Sequence, residues 1–162
     1  MYFAYGSNMN LDQMAYRCPA AEAVCTAKLE GYELFFAGRP GNGIAGIRPK
    51  QGGAVEGVLW KLTQACEKSL DHYEGFPTLY GKESVRVRGS DGTEHCVMAY
   101  TMQKPYSRIP GMPSMGYLAE ILVGCEQNGI DEKSILRAVL NTDHELSAFE
   151  KRQPHGKKDR ER

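Results

Sequence analysis

The chain opens on an apolar, aromatic run, Met1 to Tyr5, that breaks without a spacer into Gly6-Ser7-Asn8. Aromatic residues favour a strand, whereas glycine, serine and asparagine favour a tight turn. The pattern therefore predicts a buried strand that ends abruptly in a loop with exposed N–H groups. Such a loop can bind an anion or a carbonyl oxygen, although an ordinary strand end explains these residues equally well.

Apolar periodicity along the rest of the chain predicts strands first and helices afterwards. The predicted strands lie at 22–38 (one or two strands), 44–48, 54–62, 80–88 and 93–101, the last two joined as a hairpin around residues 90–92. The predicted helices begin at Asn10, Thr63, Pro113-Ser114 and Asp131, and they end near residues 17, 73, 128 and 140. Gly75 and Gly129 stand where a helix stop is expected.

This order of elements favours an α+β fold with a small, mostly antiparallel β-barrel and flanking helices. A doubly wound α/β fold is disfavoured because strands and helices do not alternate. Residues 1–150 are long enough for a single domain with its own core. Residues 151–162 are predicted to form a separate basic tail.

Charge separates these two parts of the chain. The 162 residues carry 20 basic and 20 acidic side chains, so the formal net charge is zero. Residues 151–162 hold six basic and two acidic residues, a net charge of +4, which leaves −4 on residues 1–150. The tail has almost no apolar residues and is predicted to be disordered. No aromatic residues interleave with its charges, which disfavours a nucleic-acid role.

Cysteine and histidine usage indicates a reduced compartment and no metal. The five cysteines are scattered, odd in number and form no C-x-x-C motif, and the four histidines show no metal-ligand spacing. The chain opens on a predicted strand rather than a signal peptide. No apolar run reaches the ~20 residues of a membrane helix. We therefore expect a cytoplasmic protein with no membrane partner.

Two further motifs carry little chemistry. Residues 41–46 match G-x-G-x-x-G, but Pro49 follows and no helix begins there, so a bound pyrophosphate would lack a helix N-terminus. Ser7 is a candidate nucleophile, yet it does not lie in a G-x-S-x-G motif and has no histidine near it in sequence. A structural or backbone-donor role for Ser7 is the favoured interpretation.

Glu74 is the most interesting carboxylate. It follows an amphipathic helix, where the helix dipole disfavours an anion, and Tyr73 and Phe76 flank it. Desolvation and the dipole both raise the pKa of a carboxyl group, as a general base near neutral pH requires. Asp71 is the rival carboxylate in the same turn, and a solvated, inactive Glu74 is the simpler alternative.

Several segments together resemble the γ-glutamylcyclotransferase-like superfamily. They are residues 2–9 (YFAYGSNM), 55–60 (VEGVLW), 70–75 (LDHYEG), Tyr80 with Val85-x-Val87, and 113–124 (PSMGYLAEILVG). Each motif is short, but their shared order and spacing are specific and extend to about residue 130.

The resemblance implies a site without metal or cofactor. It assigns the catalytic acid/base role to Glu74 and substrate-binding roles to the following residues: Tyr5, Gly6, Ser7, Asn8, Met9, Tyr80 and Tyr117. One departure is visible, because many members have arginine where this chain has Lys82. A lysine keeps the charge but loses the planar fork of the guanidinium group.

The implied reaction is an intramolecular aminolysis of a γ-glutamyl amide. The α-amine attacks the γ-carbonyl, Glu74 transfers the proton to the leaving nitrogen, and the turn at residues 6–9 stabilises the oxyanion. The products are 5-oxoproline and an amino acid or amine. A larger biosynthetic or ε-lysine γ-glutamyl amine is an alternative substrate, with residues 103–115 as a flexible wall on the leaving-group side. A non-catalytic binding module on the same fold is a third hypothesis.

The expected partner is thus a small γ-glutamyl molecule rather than nucleic acid, and the chain is expected to be a monomer or homodimer.

Overall fold

The computed structural model of the protein describes residues 1–153. Within them, five strands close into a barrel in the order β1-β3-β2-β4-β5, and four helices flank it. The strands are β1 (Tyr2–Ala4), β2 (Glu22–Ala37), β3 (Ile44–Lys61), β4 (Tyr80–Gly89) and β5 (Glu94–Met102). The helices are α1 (Leu11–Arg17), α2 (Gln64–Tyr73), α3 (Met115–Asn128) and α4 (Lys133–Arg152).

Neighbouring strands of the barrel are antiparallel except for β1 and β5, which are parallel. The predicted α+β fold with a mostly antiparallel barrel is therefore confirmed. None of the helices in residues 1–153 is both long enough and apolar enough to cross a bilayer.

The hairpin of β2 and β3 is longer than predicted. Residues 44–48 and 54–62, predicted as two strands, belong to the single strand β3, which pairs with β2 from Ala37 to Glu22. The register shifts opposite Gly31, whose φ of 78° lies in the left-handed region. Such a bulge bends a strand without ending it. The prediction was wrong because the Gly-rich segment 49–53 has the composition of a turn.

Helix α2 forms as predicted and presents the residues at its end to the barrel. The hydroxyl of Thr63 accepts a hydrogen bond from the N–H of Cys66 at 3.1 Å, which caps the N-terminus of α2. Leu70 is fully buried and anchors the helix on the core. Gly75 has φ of 63°, so the chain turns away directly after Glu74.

Helix α3 packs directly on the turn that follows β1. It begins at the predicted Ser114 cap and ends at Gly129, as predicted. A Cβ atom on Gly124 would lie 2.8 Å from the backbone nitrogen of Asn10 and 3.0 Å from the Cβ of Met9. Only glycine permits this approach. The turn at residues 6–9, called the first turn below, is therefore held firmly between the barrel and α3.

Helix α4 continues well beyond its predicted end. The prediction placed the end at Leu140, but the helix runs to Arg152. Buried Ile135, Ala138 and Thr142 form its inner face, and the hydroxyl of Thr142 accepts a hydrogen bond from the N–H of Phe36 in β2 at 3.3 Å. The residues after Leu140 contain no Gly or Pro before residue 154, so nothing in the sequence stops the helix. Two residues assigned to the tail are thus helical, and positions 154–162 lie outside the described residues.

Candidate active site

A cavity of about 240 Å³ lies where the first turn, the end of α2 and the start of α3 meet. Glu74 is its acidic residue, and no lysine or arginine of residues 1–153 belongs to its lining. Its lining residues are Tyr2, Tyr5, Gly6, Ser7, Asn8, Ile44, Ala45, Tyr73, Glu74, Leu79, Tyr80, Tyr100 and Tyr117. The cavity thus combines six aromatic side chains with one carboxylate.

The first turn contributes Gly6, Ser7 and Asn8 to the lining of this cavity. Residues 7–9 form a single 3-10 turn in which the N–H of Met9 donates to the carbonyl of Gly6 at 3.0 Å. In the part of the chain that the structure describes, the backbone N–H groups of Gly6, Ser7 and Asn8 have no acceptor within the protein. Three neighbouring donors at a cavity wall can stabilise an oxyanion.

Asn8 is held by hydrogen bonds at every polar atom of its side chain. Its amide nitrogen donates to the hydroxyl of Tyr2 and to Oε1 of Glu74, both at 3.0 Å. Its Oδ1 accepts from Arg17 at 2.7 Å, and its backbone carbonyl accepts from the indole of Trp60 at 3.0 Å. Asn8 therefore links the first turn to the carboxylate of Glu74.

Glu74 lies at the C-terminal cap of α2 with its carboxylate in the cavity. Burial raises the pKa of Glu74 from its ordinary value of 4.5 to about 7, while the charge of Arg17 and the hydrogen bond from Asn8 act in the opposite direction. A carboxyl group that titrates near neutral pH can both accept and return a proton.

Arg17 is a site residue that the sequence analysis missed. Its guanidinium group donates to Ser7 Oγ at 3.0 Å and lies 4.0 Å from the centre of the Tyr73 ring. Only 10% of its side chain is exposed. A basic residue in the last turn of a short helix normally indicates only a favourable helix-dipole interaction, so the sequence carried no stronger signal.

Asp71, the rival carboxylate, faces away from the cavity. It accepts hydrogen bonds from the hydroxyl of Tyr100 at 2.5 Å and from Nζ of Lys82 at 2.9 Å. Lys82 also contacts Glu67 at 2.7 Å, and its side chain is 23% exposed. Asp71 thus supports a cavity wall through Tyr100 and is not itself part of the lining.

The three predicted tyrosines, Tyr5, Tyr80 and Tyr117, all line the cavity. Tyr5 donates its hydroxyl to the carbonyl of Tyr100 at 2.6 Å, and Tyr80 donates to the carbonyl of Ala45. The hydroxyl of Tyr117 accepts from the N–H of Ala45 at 3.0 Å, which leaves its own hydrogen free to donate. Burial raises the pKa of all three hydroxyls, so they are neutral.

Two predicted features of the site lie elsewhere. The side chain of Met9 is fully buried against α3 rather than in the cavity lining, because Gly124 brings the helix onto it. Residues 103–115 do not line the cavity either. Instead they are tied to the loop after β2, where the N–H of Gly38 donates to Ile109 and that of Gly43 to Met112, both at 2.9 Å.

Ser7 is oriented as a structural hydroxyl, because its Oγ accepts from Arg17 and no histidine of residues 1–153 lines the cavity. Residues 41–46 form the end of a turn and the start of β3, not the N-terminus of a helix.

A group of metal-ligand residue types lies outside the cavity. The side chains of Cys25, Asp91 and His95 offer ligand atoms within 4.8 Å of one another, between β2 and the hairpin of β4 and β5. Asp91 already accepts from the N–H of Thr93 at 2.8 Å and contacts His95 at 3.3 Å. Cys25 is far in sequence from Asp91 and His95, so spacing alone could not reveal this group. All five cysteines are free thiols.

Comparisons with known proteins identify the family of the chain. A family model described as gamma-glutamyl cyclotransferase, AIG2-like, matches residues 2–118. The human protein named gamma-glutamylcyclotransferase is 32% identical over 154 residues, 89% of this chain and 80% of its own length. The mouse protein of the same name is 32% identical over 141 residues, 82% of this chain and 73% of its own length. A solved structure of a gamma-glutamyl cyclotransferase superposes with a TM-score of 0.73 at 31% identity, covering 88% of this chain and 85% of its own.

Proposed function

Because the chain belongs to the γ-glutamyl cyclotransferase, AIG2-like family, we propose that its cavity converts a γ-glutamyl amide into 5-oxoproline and a free amine. The protein is an enzyme of the γ-glutamylcyclotransferase type. The proposal concerns which residues perform the reaction and what the substrate is. Its main support is that Oε1 of Glu74, whose pKa is raised by burial, lies 3.0 Å from the side-chain nitrogen of Asn8. Asn8 belongs to the turn whose backbone N–H groups have no acceptor within the described residues.

The attacking group is the substrate's own α-amine. It arrives as an ammonium ion and must lose a proton before its lone pair can attack the γ-carbonyl carbon. Glu74 accepts that proton, because its pKa of about 7 leaves a large carboxylate fraction at neutral pH. The new C–N bond closes a five-membered lactam. Glu74 then returns that proton to the leaving nitrogen as the original amide bond breaks, and its carboxylate accepts the second proton that the ring nitrogen carries after the attack, so that the lactam is neutral and the proton passes to the released amine.

The negative charge of the tetrahedral intermediate develops on the former carbonyl oxygen. The N–H groups of Gly6, Ser7 and Asn8 are the donors that we assign to this oxygen. The free hydrogen of the Tyr117 hydroxyl, which lies close to Gly6, adds a further donor. Because these donors are fixed by the turn and by α3, they need no rearrangement as charge develops.

The walls of the cavity favour a folded substrate. Ring closure is intramolecular, so the enzyme gains mainly by holding the α-amine close to the γ-carbonyl. Six aromatic side chains and a volume of about 240 Å³ suit a γ-glutamyl group, with the leaving amine directed to the mouth. The residues that we propose for substrate binding are Tyr5, Gly6, Ser7, Asn8, Tyr80 and Tyr117.

A panel of γ-glutamyl compounds tests this proposal. The purified protein is incubated with γ-glutamyl amino acids, γ-glutamyl amines and the ε-lysine adduct, and 5-oxoproline and the released amine are both quantified. We expect equal amounts of the two products from at least one class. The matched control is the same compound with its α-amine acetylated, which cannot cyclise. Release of free glutamate, or turnover of the acetylated compound, would indicate hydrolysis instead.

A further inference from the structure

Arg17 has no part in the reaction just described, yet it is one of the most completely engaged side chains near the cavity. It donates to Asn8 Oδ1 at 2.7 Å and Ser7 Oγ at 3.0 Å, contacts Glu120 at 3.9 Å and stacks on Tyr73. Two of its partners lie in the first turn, and the Asn8 amide that it contacts also reaches Glu74. Its position is therefore determined from several sides.

We infer that Arg17 is a positioning residue that locks the amide of Asn8 and thereby selects which oxygen of Glu74 exchanges the proton. The inference rests on the proposed role of Glu74 as the base. Neither the sequence motifs nor the proposed reaction assigned a role to Arg17.

The orientation of the Asn8 amide follows from its neighbours. If the amide were rotated by half a turn, its NH₂ group would face the guanidinium group of Arg17, and two donors would meet. Its oxygen would then face Glu74, where a carboxylate offers no hydrogen to share. Arg17 therefore keeps Oδ1 on its own side and the NH₂ group toward Tyr2 and Glu74.

The fixed amide has a consequence for the carboxylate. Oε1 of Glu74 accepts a hydrogen bond from Asn8 Nδ2, so a proton placed on Oε1 would oppose that N–H. The proton is directed to Oε2, the oxygen that Asn8 does not occupy. The substrate ammonium must therefore approach Oε2, and the same oxygen returns the proton to the leaving nitrogen. Arg17 acts on this choice through Asn8 and does not contact the reacting atoms itself.

The charge of Arg17 acts in the same direction as its hydrogen bond. It lowers the pKa of Glu74 against the effect of burial and so preserves a carboxylate fraction at neutral pH. The other ionisable groups coupled to Glu74 are tyrosines whose pKa values lie above the ordinary range, and they remain neutral. They are Tyr2 on β1, Tyr5 after it, Tyr80 on β4, Tyr100 on β5 and Tyr117 on α3. Glu120, on α3, is the acid that faces Arg17 itself.

The substitution Arg17→Met removes both effects. Asn8 is then free to turn its oxygen toward a protonated Glu74, and the nearby positive charge is lost. Both changes favour the neutral carboxyl group, so its pKa rises further. We expect kcat/KM to fall about tenfold at pH 6 and to recover to within about twofold of the unchanged protein at pH 9. Arg17→Lys keeps the charge, and we expect its kcat/KM at pH 6 to lie between those of Arg17→Met and the unchanged protein.

The experiment has two readouts. The pH profile of kcat/KM is measured for the best substrate of the panel, and the Glu74 carboxyl carbon is titrated by NMR with ¹³C-labelled glutamate, its resonance assigned from the Glu74→Gln variant. Arg86→Met, the same change at an exposed position on β4, is the matched control and is expected to change neither readout.

A higher Glu74 pKa in Arg17→Met, together with a rate loss confined to low pH, is the expected result. An unshifted carboxyl titration would overturn the inference, as would an equal rate loss at every pH, which indicates damage to the fold instead. If the unchanged protein forms no 5-oxoproline, the proposed function fails while the titration still judges the role of Arg17. The two failures are thus distinguishable.

Discussion

Two carboxylates at the end of α2, those of Asp71 and Glu74, lie in opposite kinds of environment. On the outer side, Asp71 is neutralised by Lys82 and bonded to Tyr100. On the inner side, Glu74 is buried and receives a hydrogen bond from Asn8, and Arg17 is the cation that reduces its pKa. The outer carboxylate is a structural ion, whereas the inner one is held close to its point of ionisation.

The difference shows what separates a base from a structural carboxylate. Asp71 is engaged directly by the ammonium group of Lys82 and the hydroxyl of Tyr100, and these contacts hold it in a structural role. Burial instead raises the pKa of Glu74, because Arg17 donates its hydrogen bond to Asn8 rather than to the Glu74 carboxylate itself. Residues only three positions apart therefore acquire different chemistry through the elements that they face.

Removing the inner carboxylate is expected to have the largest effect. Glu74→Gln keeps the shape and can still accept from Asn8, but it cannot take the ammonium proton. We expect kcat to fall by about 10² to 10⁴, the usual contribution of a general acid/base group, with substrate binding largely retained. Steady-state kinetics on the best substrate measures this. Near-normal turnover would exclude Glu74 as the base and make Asp71 the next residue to test.

The same variant should change how stability depends on pH. The pKa of Glu74 is about 7 in the folded protein and 4.5 in the unfolded chain, so ionisation destabilises the fold. The stability of the unchanged protein is retained at low pH and is lost as pH rises from 4.5 to 7. We expect Glu74→Gln to be more stable by about 3 kcal/mol at pH 8 and by less than about 1 kcal/mol at pH 5.

Urea denaturation of both proteins between pH 5 and pH 9 checks this expectation. Parallel stability curves would mean that the carboxyl group titrates normally and that burial does not tune it.

Disrupting the outer carboxylate should affect stability more than chemistry. Asp71→Asn removes the charge that Lys82 and the Tyr100 hydroxyl contact. Hydrogen bonds to charged groups contribute about 1.5 to 3 kcal/mol, so we expect a loss of about 2 kcal/mol in the free energy of unfolding. Because Tyr100 lines the cavity, kcat/KM should fall, but by less than about tenfold. A loss as large as that of Glu74→Gln would erase the distinction between the two sides.

The smallest effect is expected at Lys82, where the family resemblance led us to expect arginine. Lys82→Arg keeps the positive charge between Glu67 and Asp71, outside the cavity. Partly exposed pairs of this kind contribute little. We expect the free energy of unfolding to change by less than about 1 kcal/mol and kcat/KM by less than about twofold. Thermal melts and the product assay measure both, and a larger change in rate would connect the outer cluster to the reaction.

Local signals predicted most of the fold. The caps at Asn10, Thr63 and Ser114 and the stops at Gly75 and Gly129 act within a few residues, and the structure has them where the sequence placed them. The errors arose at the Gly-rich segment of β3, where strand pairing overrides a turn-like composition, and at the end of α4, where no local signal marks a stop. The bend opposite Gly31 keeps β3 continuous, and burial against β2 accompanies the extension of α4 beyond Leu140.

Some residues of the site could be identified from local sequence, whereas others are recognised only from their partners in the fold. The first turn and Glu74 stand out in the sequence because each combines unusual residues with an element end. The roles of Arg17 and Lys82 depend on partners across the fold, so the sequence could not choose between Asp71 and Glu74 on physical grounds. Met9 belongs to the motif, yet its side chain is buried in the core.

The most direct test is the pH dependence of kcat/KM for 5-oxoproline formation by the unchanged protein. If Glu74 is the base, log kcat/KM rises with a slope of one below neutral pH and bends near pH 7, where its carboxyl group ionises. The bend should be lost in Glu74→Gln. A rate that is independent of pH between 5.5 and 8.5, or a bend that persists in the variant, would contradict the assignment of the inner carboxylate as the proton acceptor.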